Sequence, residues 1–389
     1  MKILNLMLGA AVCCSLSSCF KDEPLNAECD IEQAYVHVDD PTAIFFSASD
    51  TLVNVISEAD DVIFEIKEGA DVSRMAPVFR LTEGATISPA NGSEHDFSNG
   101  APVVYTVTSQ DGSWKRTYNV AFRMVNPVSE YNFENTRLVE GDNKGKYYEW
   151  SDLSADGEWL GNWATGNSGF NISAQFIGGT IDAEDYPSSP VDDGYSGKAV
   201  KLTTCSTGTF GSMVGMGIAA GNLFIGEFDA LKALSSSDGA MQATMFGRPF
   251  DRKPLQFTGW YKYHPARPIV DGHLKEVDDS YDKGDIYAVL YRNHDAQDNA
   301  FVLHGDDVKT SPQIVAIAQV PEVTDVDDWT EFTVDFEYRG EIDPELLANR
   351  GYNLAVVFTS SIEGAYFKGA IGSTLYIDEV KVICEESEE

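Results

Sequence analysis

The chain has 389 residues, of which 43% are hydrophobic, and it carries 62 acidic against 27 basic side chains for a net charge of −35. A field of this sign repels phosphate backbones, so nucleic acid is excluded as a partner, and anionic membrane surfaces are disfavoured. After the N-terminal segment, no apolar run reaches the roughly eighteen residues that a membrane-spanning helix needs. The length predicts two to three domains.

The N-terminus has the pattern of an export signal. Met1 and Lys2 give a positive start, and Ile3–Val12 is an apolar run too short to cross a bilayer. The sequence Leu16-Ser17-Ser18-Cys19 resembles a bacterial lipobox, which implies a signal peptide over 1–18 and acylation of Cys19. Lys21-Asp22-Glu23 resembles the surface-export signal of Bacteroidetes-type lipoproteins. We therefore expect an outer-membrane, lipid-anchored protein that faces the cell exterior; a plain secreted protein, or a buried apolar strand, is the alternative.

Residues 19–30 are polar and predict a tether, and residues 31–126 read as short strands. Val103–Thr108 and Thr117–Phe122 alternate with period two around an Asp111-Gly112 turn, which predicts a β-hairpin. Val62–Ile66 and Pro77–Leu81 are further strand-like runs. This pattern is typical of an immunoglobulin-like (Ig-like) β-sandwich. Its text, notably GATISP and YTVTSQDGSWKRTYNV, resembles small Ig-like modules of Bacteroidetes-type surface lipoproteins, which implies a spacer role.

Pro127 marks a boundary, because proline ends a strand run and restricts the residue before it. Residues 127–389 are again rich in strands, and we expect helices only at Glu227–Leu234 and Pro344–Arg350. The long strands and polar loops indicate one jelly-roll domain of two sheets. The predicted strands are Ala199–Thr204, Leu255–Tyr263, Asp285–Tyr291, Phe301–His304, Gln313–Gln319, Trp329–Tyr338, Tyr352–Thr359 and Thr374–Cys384.

The beginning and the end of this domain resemble carbohydrate-binding jelly rolls. The relevant text is NFEN at 132–135, YSGKAVKL at 195–202 and LYIDEVKV at 375–382. The resemblance implies that an acid near the first strand and an acid on the last strand hold a structural Ca²⁺; the matching residues are Glu134 and Asp378. Backbone carbonyls near Asp193–Tyr195 could complete the oxygen ligands that Ca²⁺ prefers. The alternative is that Asp378 is a hydrogen-bonded polar residue of the sheet.

Over about 130–387 the chain is similar to the family called the putative carbohydrate metabolism domain. The matching text is NFENTRL, WLGNWATGNSGF, YPSSPVDDGYSGKAVKLTT, FTGWYKY and LYIDEV, in that order. The similarity implies a jelly roll with a glycan-related role and implies no specific activity.

Candidate binding residues cluster in the loop from Trp159 to Asn167. Sugar rings present apolar C–H faces on which tryptophan stacks, while amide side chains bind hydroxyls. We predict contact by Trp163 and Asn167 first, with Trp159, Trp260 and Arg292 as further candidates. The alternative for Trp163 is that it fills the core of the sandwich.

Other chemistry has little support in the sequence. The cysteines outside the export signal (Cys29, Cys205 and Cys384) permit one bridge at most, and neither they nor the scattered histidines have the spacing of a zinc site. A glycoside hydrolase needs two opposed carboxylates, and among 62 acids no pair stands out; Glu149, Asp192 and Asp193 lie near the aromatic loops.

The predicted function is therefore capture of poly- or oligosaccharide by the jelly roll, for delivery to neighbouring glycan-uptake proteins. A glycoside hydrolase on the same jelly roll, and an adhesin or structural surface component, are the alternatives.

Overall fold

The computed structural model describes residues 25–385, apart from residues 58, 68, 125, 142–144, 155–156, 175–180, 236 and 298. The predicted signal peptide, Cys19 and the first part of the tether lie outside the described residues. The architecture is all-β, as predicted from the sequence. Within the described part of the chain, no helix is both long and apolar enough to cross a bilayer.

The N-terminal module consists of two small sheets packed around an aromatic core. That core includes Phe45, Phe64 and Phe122, and the rings of Phe64 and Phe122 stack at 4.6 Å. The first sheet contains Leu52–Asn54, Ile31–Tyr35 and Val78–Leu81, and the second contains Asp61–Glu65, Lys115–Arg123, Val103–Thr108 and Thr86–Ser88.

The hairpin predicted around Asp111-Gly112 is confirmed. Val103–Thr108 pairs antiparallel with Lys115–Val120. The turn needs a left-handed residue, and Gly112 supplies it at φ 74°. The hydroxyl of Ser109 donates to Asp111 Oδ1 at 2.6 Å and thereby fixes the turn.

The larger domain is a sandwich of two antiparallel sheets. The larger sheet contains Trp163–Ala164, Asn222–Phe228, Tyr352–Thr359, Asp285–Arg292, Ile314–Gln319 and Glu337–Tyr338, with Thr244–Phe246 and Arg248–Phe250 beside this path. The smaller sheet contains Ser188–Val191, Ala199–Thr203, Thr374–Cys384, Pro254–His264 and Val326–Asp335, with Glu130–Tyr131 beside it.

The larger sheet is buried on both of its faces. Along Asp285–Arg292, alternate side chains enter two different clusters, as the period of a strand requires. Ile286, Ala288 and Leu290 point into the core between the sheets, whereas Tyr287 and Val289 belong to a second apolar cluster on the outer face. The strand is therefore apolar throughout, and its outer face becomes the floor of a pocket.

Helices and short hairpins are inserted between the strands. The helices are Asn167–Ala174, Gly208–Met213, Ala230–Ser235, Ser237–Ala243 and Pro344–Ala348, with 3-10 turns at Pro41–Ala43, Ala48–Thr51, Ala183–Asp185 and Gly364–Tyr366. The hairpins pair Thr136–Glu140 with Lys146–Trp150, Cys205–Ser206 with Ile218–Ala219, and Ile269–Val270 with Glu276–Asp278.

Several element predictions were wrong, and the helices Asn167–Ala174, Gly208–Met213 and Ser237–Ala243 were not expected. The helix expected over Glu227–Leu234 starts at Ala230, because Glu227 and Phe228 still belong to the strand Asn222–Phe228. Phe301–His304 is not a strand, and Leu303 makes only an isolated bridge to Phe246.

The two domains touch through Arg350, whose side chain is 5% exposed. Its guanidinium lies 4.2 Å from the ring centroid of Phe46, and its Nη1 lies 3.6 Å from Glu65 Oε2. Nearby, Ser49 Oγ hydrogen-bonds His294 Nε2 at 2.6 Å. Phe46, Glu65 and Ser49 belong to the N-terminal module, so these contacts connect the two sandwiches.

Candidate functional site

The outer face of the larger sheet forms the floor of a pocket of about 820 Å³, which we call the sheet groove. Phe224, Tyr287 and Val357 contribute to the floor, and the helices Asn167–Ala174 and Gly208–Met213 contribute to the walls. Pockets of a few hundred to about 1,000 Å³ with apolar linings and a few fixed polar groups are typical of ligand sites. The sheet groove therefore has the dimensions for a short oligosaccharide.

A fixed polar cluster lies at one end of this floor. Asp285 is 3% exposed, and it accepts a hydrogen bond from Lys309 Nζ at 2.6 Å and another from Gln319 Nε2 at 2.8 Å. Lys309 Nζ also lies 5.0 Å from the ring centroid of Tyr287. Because the buried carboxylate holds the ammonium in place, Lys309, whose side chain is 32% exposed, can offer a donor to ligand hydroxyls without rearrangement.

Aromatic side chains stand at the rim of the sheet groove. Phe210 is 48% exposed and Tyr366 is 62% exposed, and both line the pocket. Phe210 lies on a short helix that packs closely at Gly211, where a Cβ would meet Thr207 Oγ1 at 2.0 Å. The sequence interpretation missed both aromatics. The available signal was an aromatic residue inside each of two glycine-rich segments, 208–217 and 364–372.

Trp163, the first predicted contact residue, is 7% exposed and lies in the core. Its ring packs against Tyr131 at 5.2 Å and Phe133 at 5.3 Å, and its Nε1 donates to Asp152 Oδ2 at 2.9 Å. The indole thus packs against core aromatics and its N–H is bound within the protein, as in the core alternative, while the residue also lines part of the cavity that contains Trp159.

Asn167, the second predicted contact residue, is fully buried. Its Nδ2 donates to the backbone oxygens of Ser188 at 2.8 Å and of Tyr148 at 3.2 Å, and its Oδ1 accepts from the backbone N–H of Ser188. The amide therefore braces the chain and is not available to a ligand in this conformation.

Trp159 lines a second cavity of about 510 Å³, which we call the interdomain cleft because both domains line it. Arg137 lies 4.7 Å from the Trp159 ring centroid. The cleft also contains Glu227, whose Oε1 lies 2.7 Å from Arg248 Nη1, and Glu65 of the N-terminal module. Burial raises the pKa of Glu65, and the nearby guanidinium of Arg248 opposes that rise.

Trp260 and Arg292 line neither cavity. Trp260 lies on the outer face of the smaller sheet, where its ring stacks on Tyr195 at 3.9 Å with an interplanar angle of 10°. Arg292 is exposed at the end of the strand Asp285–Arg292. The structure thus brings Trp159 and Trp163 to the lining of one cavity, buries Asn167, and places Trp260 and Arg292 on two separate surfaces.

Glu134 and Asp378, the predicted calcium ligands, meet the same loop. Glu134 Oε1 accepts from the backbone N–H of Lys198 at 2.8 Å, and Asp378 Oδ2 accepts from that of Ser196 at 2.8 Å. Asp378 is fully buried, and burial raises the pKa of its carboxyl to about 6. In the described part of the chain, no three His, Cys, Asp or Glu side chains form a cluster that could hold a metal ion.

The described cysteines are unbridged. Cys29, Cys205 and Cys384 are free thiols. Burial raises the pKa of Cys205 to about 12, so this thiol stays protonated and unreactive near neutral pH.

Comparisons with known proteins agree with this architecture. Residues 132–383 match the family model described as putative carbohydrate metabolism domain, and residues 43–121 match the model described as SGBP, N-terminal. No curated protein matches the chain.

Two solved structures are similar over long stretches. A protein of Bacteroides thetaiotaomicron VPI-5482, described as a putative glycoside hydrolase, is 38% identical, with a TM-score of 0.79 over 94% of this chain and 100% of that one. A protein of Bacteroides vulgatus ATCC 8482 with the same description is 34% identical, with a TM-score of 0.59 over 66% of this chain and 98% of that one. The resemblance found in the sequence is confirmed, and the chain belongs to the putative carbohydrate metabolism domain family.

Proposed function

We propose that this protein binds a neutral oligosaccharide or polysaccharide chain in the sheet groove. The observation that carries the proposal is the combination of exposed rim aromatics with the fixed Asp285–Lys309 pair on a mainly apolar floor. Phe210 and Tyr366 offer ring faces to the C–H faces of sugars, and the Lys309 ammonium, fixed by Asp285, offers a donor to hydroxyls. Membership of a carbohydrate-related family supports this assignment.

The charge of the protein narrows the ligand class. At a net charge of −35, a long-range field opposes the approach of polyanions, including sulfated or uronic-acid-rich glycans. Uncharged glycans experience no such penalty, so we expect neutral hexose or pentose chains.

Binding in the groove can be tested with hexaoses of β-1,4-linked glucose, xylose, mannose and galactose, titrated calorimetrically into the full-length protein in detergent. Tyr366→Ala and Lys309→Met should weaken binding of the retained hexaose by about thirtyfold, which is the loss typical of an anchor residue. Tyr281→Ala is the matched control, because Tyr281 is 56% exposed and lies outside both cavities. Unchanged affinity in both groove variants would remove the groove from the proposal.

We further propose that Cys19 anchors the protein by lipid in the outer membrane, facing the exterior, where it delivers glycan to neighbouring uptake proteins. The motivation is the lipobox-like Leu16–Cys19 segment followed by Lys21-Asp22-Glu23. Cys19→Ala should abolish incorporation of a palmitate analogue and release the protein from the membrane fraction. Full labelling of this variant would refute the anchor.

We also propose that a structural Ca²⁺ ion binds between Glu134 and Asp378. Asp378 is fully buried, and among the described residues no ion pair supplies it with a cationic partner. A cation between Glu134 and Asp378 would offset the cost of burying this carboxylate. Each carboxylate keeps lone pairs beyond those used by the backbone N–H groups. If Ca²⁺ binds, a chelator should lower the melting temperature by several degrees; an unchanged melting temperature would remove the metal.

Hydrolysis in the interdomain cleft is a second candidate function. Glu65, whose pKa is raised by burial, has the character of a general acid, and Glu227, which is ion-paired with Arg248, lines the same cleft. The solved relatives described as putative glycoside hydrolases also favour it. Release of reducing ends from the same hexaoses should occur with the wild type and disappear in both Glu65→Gln and Glu227→Gln. Equal rates in all three proteins would rule out this pair.

A further inference from the structure

We propose that Tyr195, backed by Trp260, forms a second saccharide-binding platform on the outer face of the smaller sheet. This platform is distinct from the sheet groove, which lies on the outer face of the larger sheet. Tyr195 and Trp260 line neither the groove nor the interdomain cleft. The platform is therefore a site additional to the groove of the function proposed above.

The two rings form a rigid stack. Their centroids are 3.9 Å apart and their planes differ by 10°. Trp260 lies in the middle of the strand Pro254–His264, and Tyr195 is 48% exposed. Because Trp260 covers one face of the phenol ring, the exposed area of Tyr195 belongs to its opposite face and edge. A flat aromatic surface that is fixed from behind is the geometry that stacks on a pyranose ring.

The loop that carries Tyr195 is held on both sides. The backbone N–H of Ser196 donates to the buried carboxylate of Asp378, and the backbone N–H of Lys198 donates to Glu134. Two glycines let the loop approach these acids. A Cβ on Gly197 would lie 2.0 Å from Glu134 Oε1, and a Cβ on Gly194 would lie 2.8 Å from Asp378 Oδ2.

This anchoring fixes the position of Tyr195 before any ligand arrives. Ligand binding then orders little of the loop, and the entropic cost of association is small. The two acids predicted as calcium ligands thus have a positioning role that does not depend on a metal.

The surroundings of the stack point to a neutral saccharide. Asp192 and Asp193 precede Tyr195 in the loop, and both are exposed. Glu331, also exposed, lies directly across from Trp260 in the adjacent strand. These carboxylates accept hydrogen bonds from hydroxyl groups and repel anionic ligands. The exposed aromatic surface is one ring wide, which suits a sugar unit and is too small for the buried core of a stable protein interface.

Two sites on opposite faces of one sandwich have a consequence for polymer binding. A long glycan, or two neighbouring chains, can engage both sites, and the second contact then forms at high effective concentration. We therefore expect stronger retention on polysaccharide than the hexaose affinities alone would give.

The platform can be tested by affinity electrophoresis of the full-length protein through gels that contain soluble β-1,4-glucan, xylan, mannan or galactan. A groove-disabled variant, Phe210→Ala with Tyr366→Ala, separates the two sites. In this background, Tyr195→Ala should weaken retention by about tenfold, whereas Tyr195→Phe, which keeps the ring, should retain binding. Melting temperatures of all variants show whether the loop stays folded.

Each outcome decides between the sites. Residual retention that depends on the ring at position 195 supports the platform. Complete loss of retention in the groove-disabled variant overturns the platform and supports the groove. Full retention of the groove-disabled variant, together with loss of retention when Tyr195→Ala is the only substitution, supports the platform and refutes the groove. Retention that is unaffected by Tyr195→Ala in either background, or absent from the wild type in every gel, contradicts the platform.

Discussion

Two aromatic loops of the larger sandwich have opposite orientations. The loop at 159–167 turns Trp163 into the core, where Asp152 accepts its indole N–H and the buried amide of Asn167 pairs with the backbone of Ser188. The loop at 192–198 donates backbone N–H groups to the buried Asp378 and the half-buried Glu134, and it leaves the ring of Tyr195 half exposed. In both loops the residue type is the same, an aromatic. What differs is which polar atoms of the loop are hydrogen-bonded within the protein, and this decides whether the aromatic ring fills the core or is available to a ligand.

The largest effect should come from Trp163→Ala. Removing a buried indole that packs on Tyr131, Phe133 and Phe358 leaves a cavity, so the free energy of unfolding should fall by about 3–5 kcal/mol. Urea denaturation measures this loss. A fully stable Trp163→Ala protein would show that the 159–167 loop is not part of the core. The contrast between this loop and the 192–198 loop would then be wrong.

The next effect is a pH dependence that originates at Asp378. Burial raises the pKa of its carboxyl from 3.8 to about 6, so the folded state binds this proton more tightly than the unfolded state. Its contribution to stability is full below about pH 4 and is lost as the pH rises through 6, with an upper limit of about 3 kcal/mol for a shift of this size.

Melting temperatures between pH 4 and 7, with and without chelator, measure this dependence. Asp378→Asn should have a smaller slope than the wild type, and bound Ca²⁺ should reduce the slope of the wild type, because a cation favours the carboxylate. Parallel slopes for the wild type and the variant would place the pH dependence elsewhere.

Gly197→Ala should have a smaller effect. Gly197 has φ 68°, a left-handed conformation that costs other residues about 1–2 kcal/mol, and a Cβ there would displace Glu134 from the Lys198 N–H. The unfolding free energy should therefore fall by more than the backbone strain alone would give. Gly157→Ala, at φ 81° with open space around it, is the matched control for backbone strain alone. An equal loss in both variants would mean that Glu134 adds nothing to the anchoring of the loop.

The smallest effect on stability should come from Tyr195→Ala. The exposed ring contributes mainly its stack on Trp260, and such pairs contribute about 0.5–1.5 kcal/mol. Urea denaturation should therefore give nearly the wild-type midpoint, in contrast to Trp163→Ala. A loss as large as that of Trp163→Ala would mean that both loops serve the core.

The sequence predicts the strands better than the site. Tyr352–Thr359 and Thr374–Cys384 have the predicted bounds, because long apolar or alternating runs suit only a buried or half-buried strand. Asn222–Phe228 was missed, and part of it was interpreted as helix, because its run is short and stands beside helical text. This segment is a strand because tertiary packing adds it to the larger sheet, and the local sequence pattern carries no sign of that packing.

The candidate site depends on contacts that sequence separation conceals. Asp285 and Lys309 lie 24 positions apart, and Phe210 and Tyr366 reach the groove from distant loops. The high density of aromatic residues in the sequence led instead to the prediction that Trp163 contacts the ligand. Its burial depends on packing against Tyr131 and Phe358, which lie in two other strands. Glu134 and Asp378 were grouped only by family resemblance, and the structure places both against one loop.

The contact of Arg350 with Phe46 and Glu65 would resist mechanical load between the two domains. A tether at the N-terminus and a polymer held by the larger sandwich would pull the two domains in opposite directions. Arg350 alone carries both the cation–π contact and the ion pair with Glu65. The Ser49–His294 hydrogen bond and the Arg123–Glu158 ion pair also join the two domains, so several contacts would share the load before the sandwiches separate.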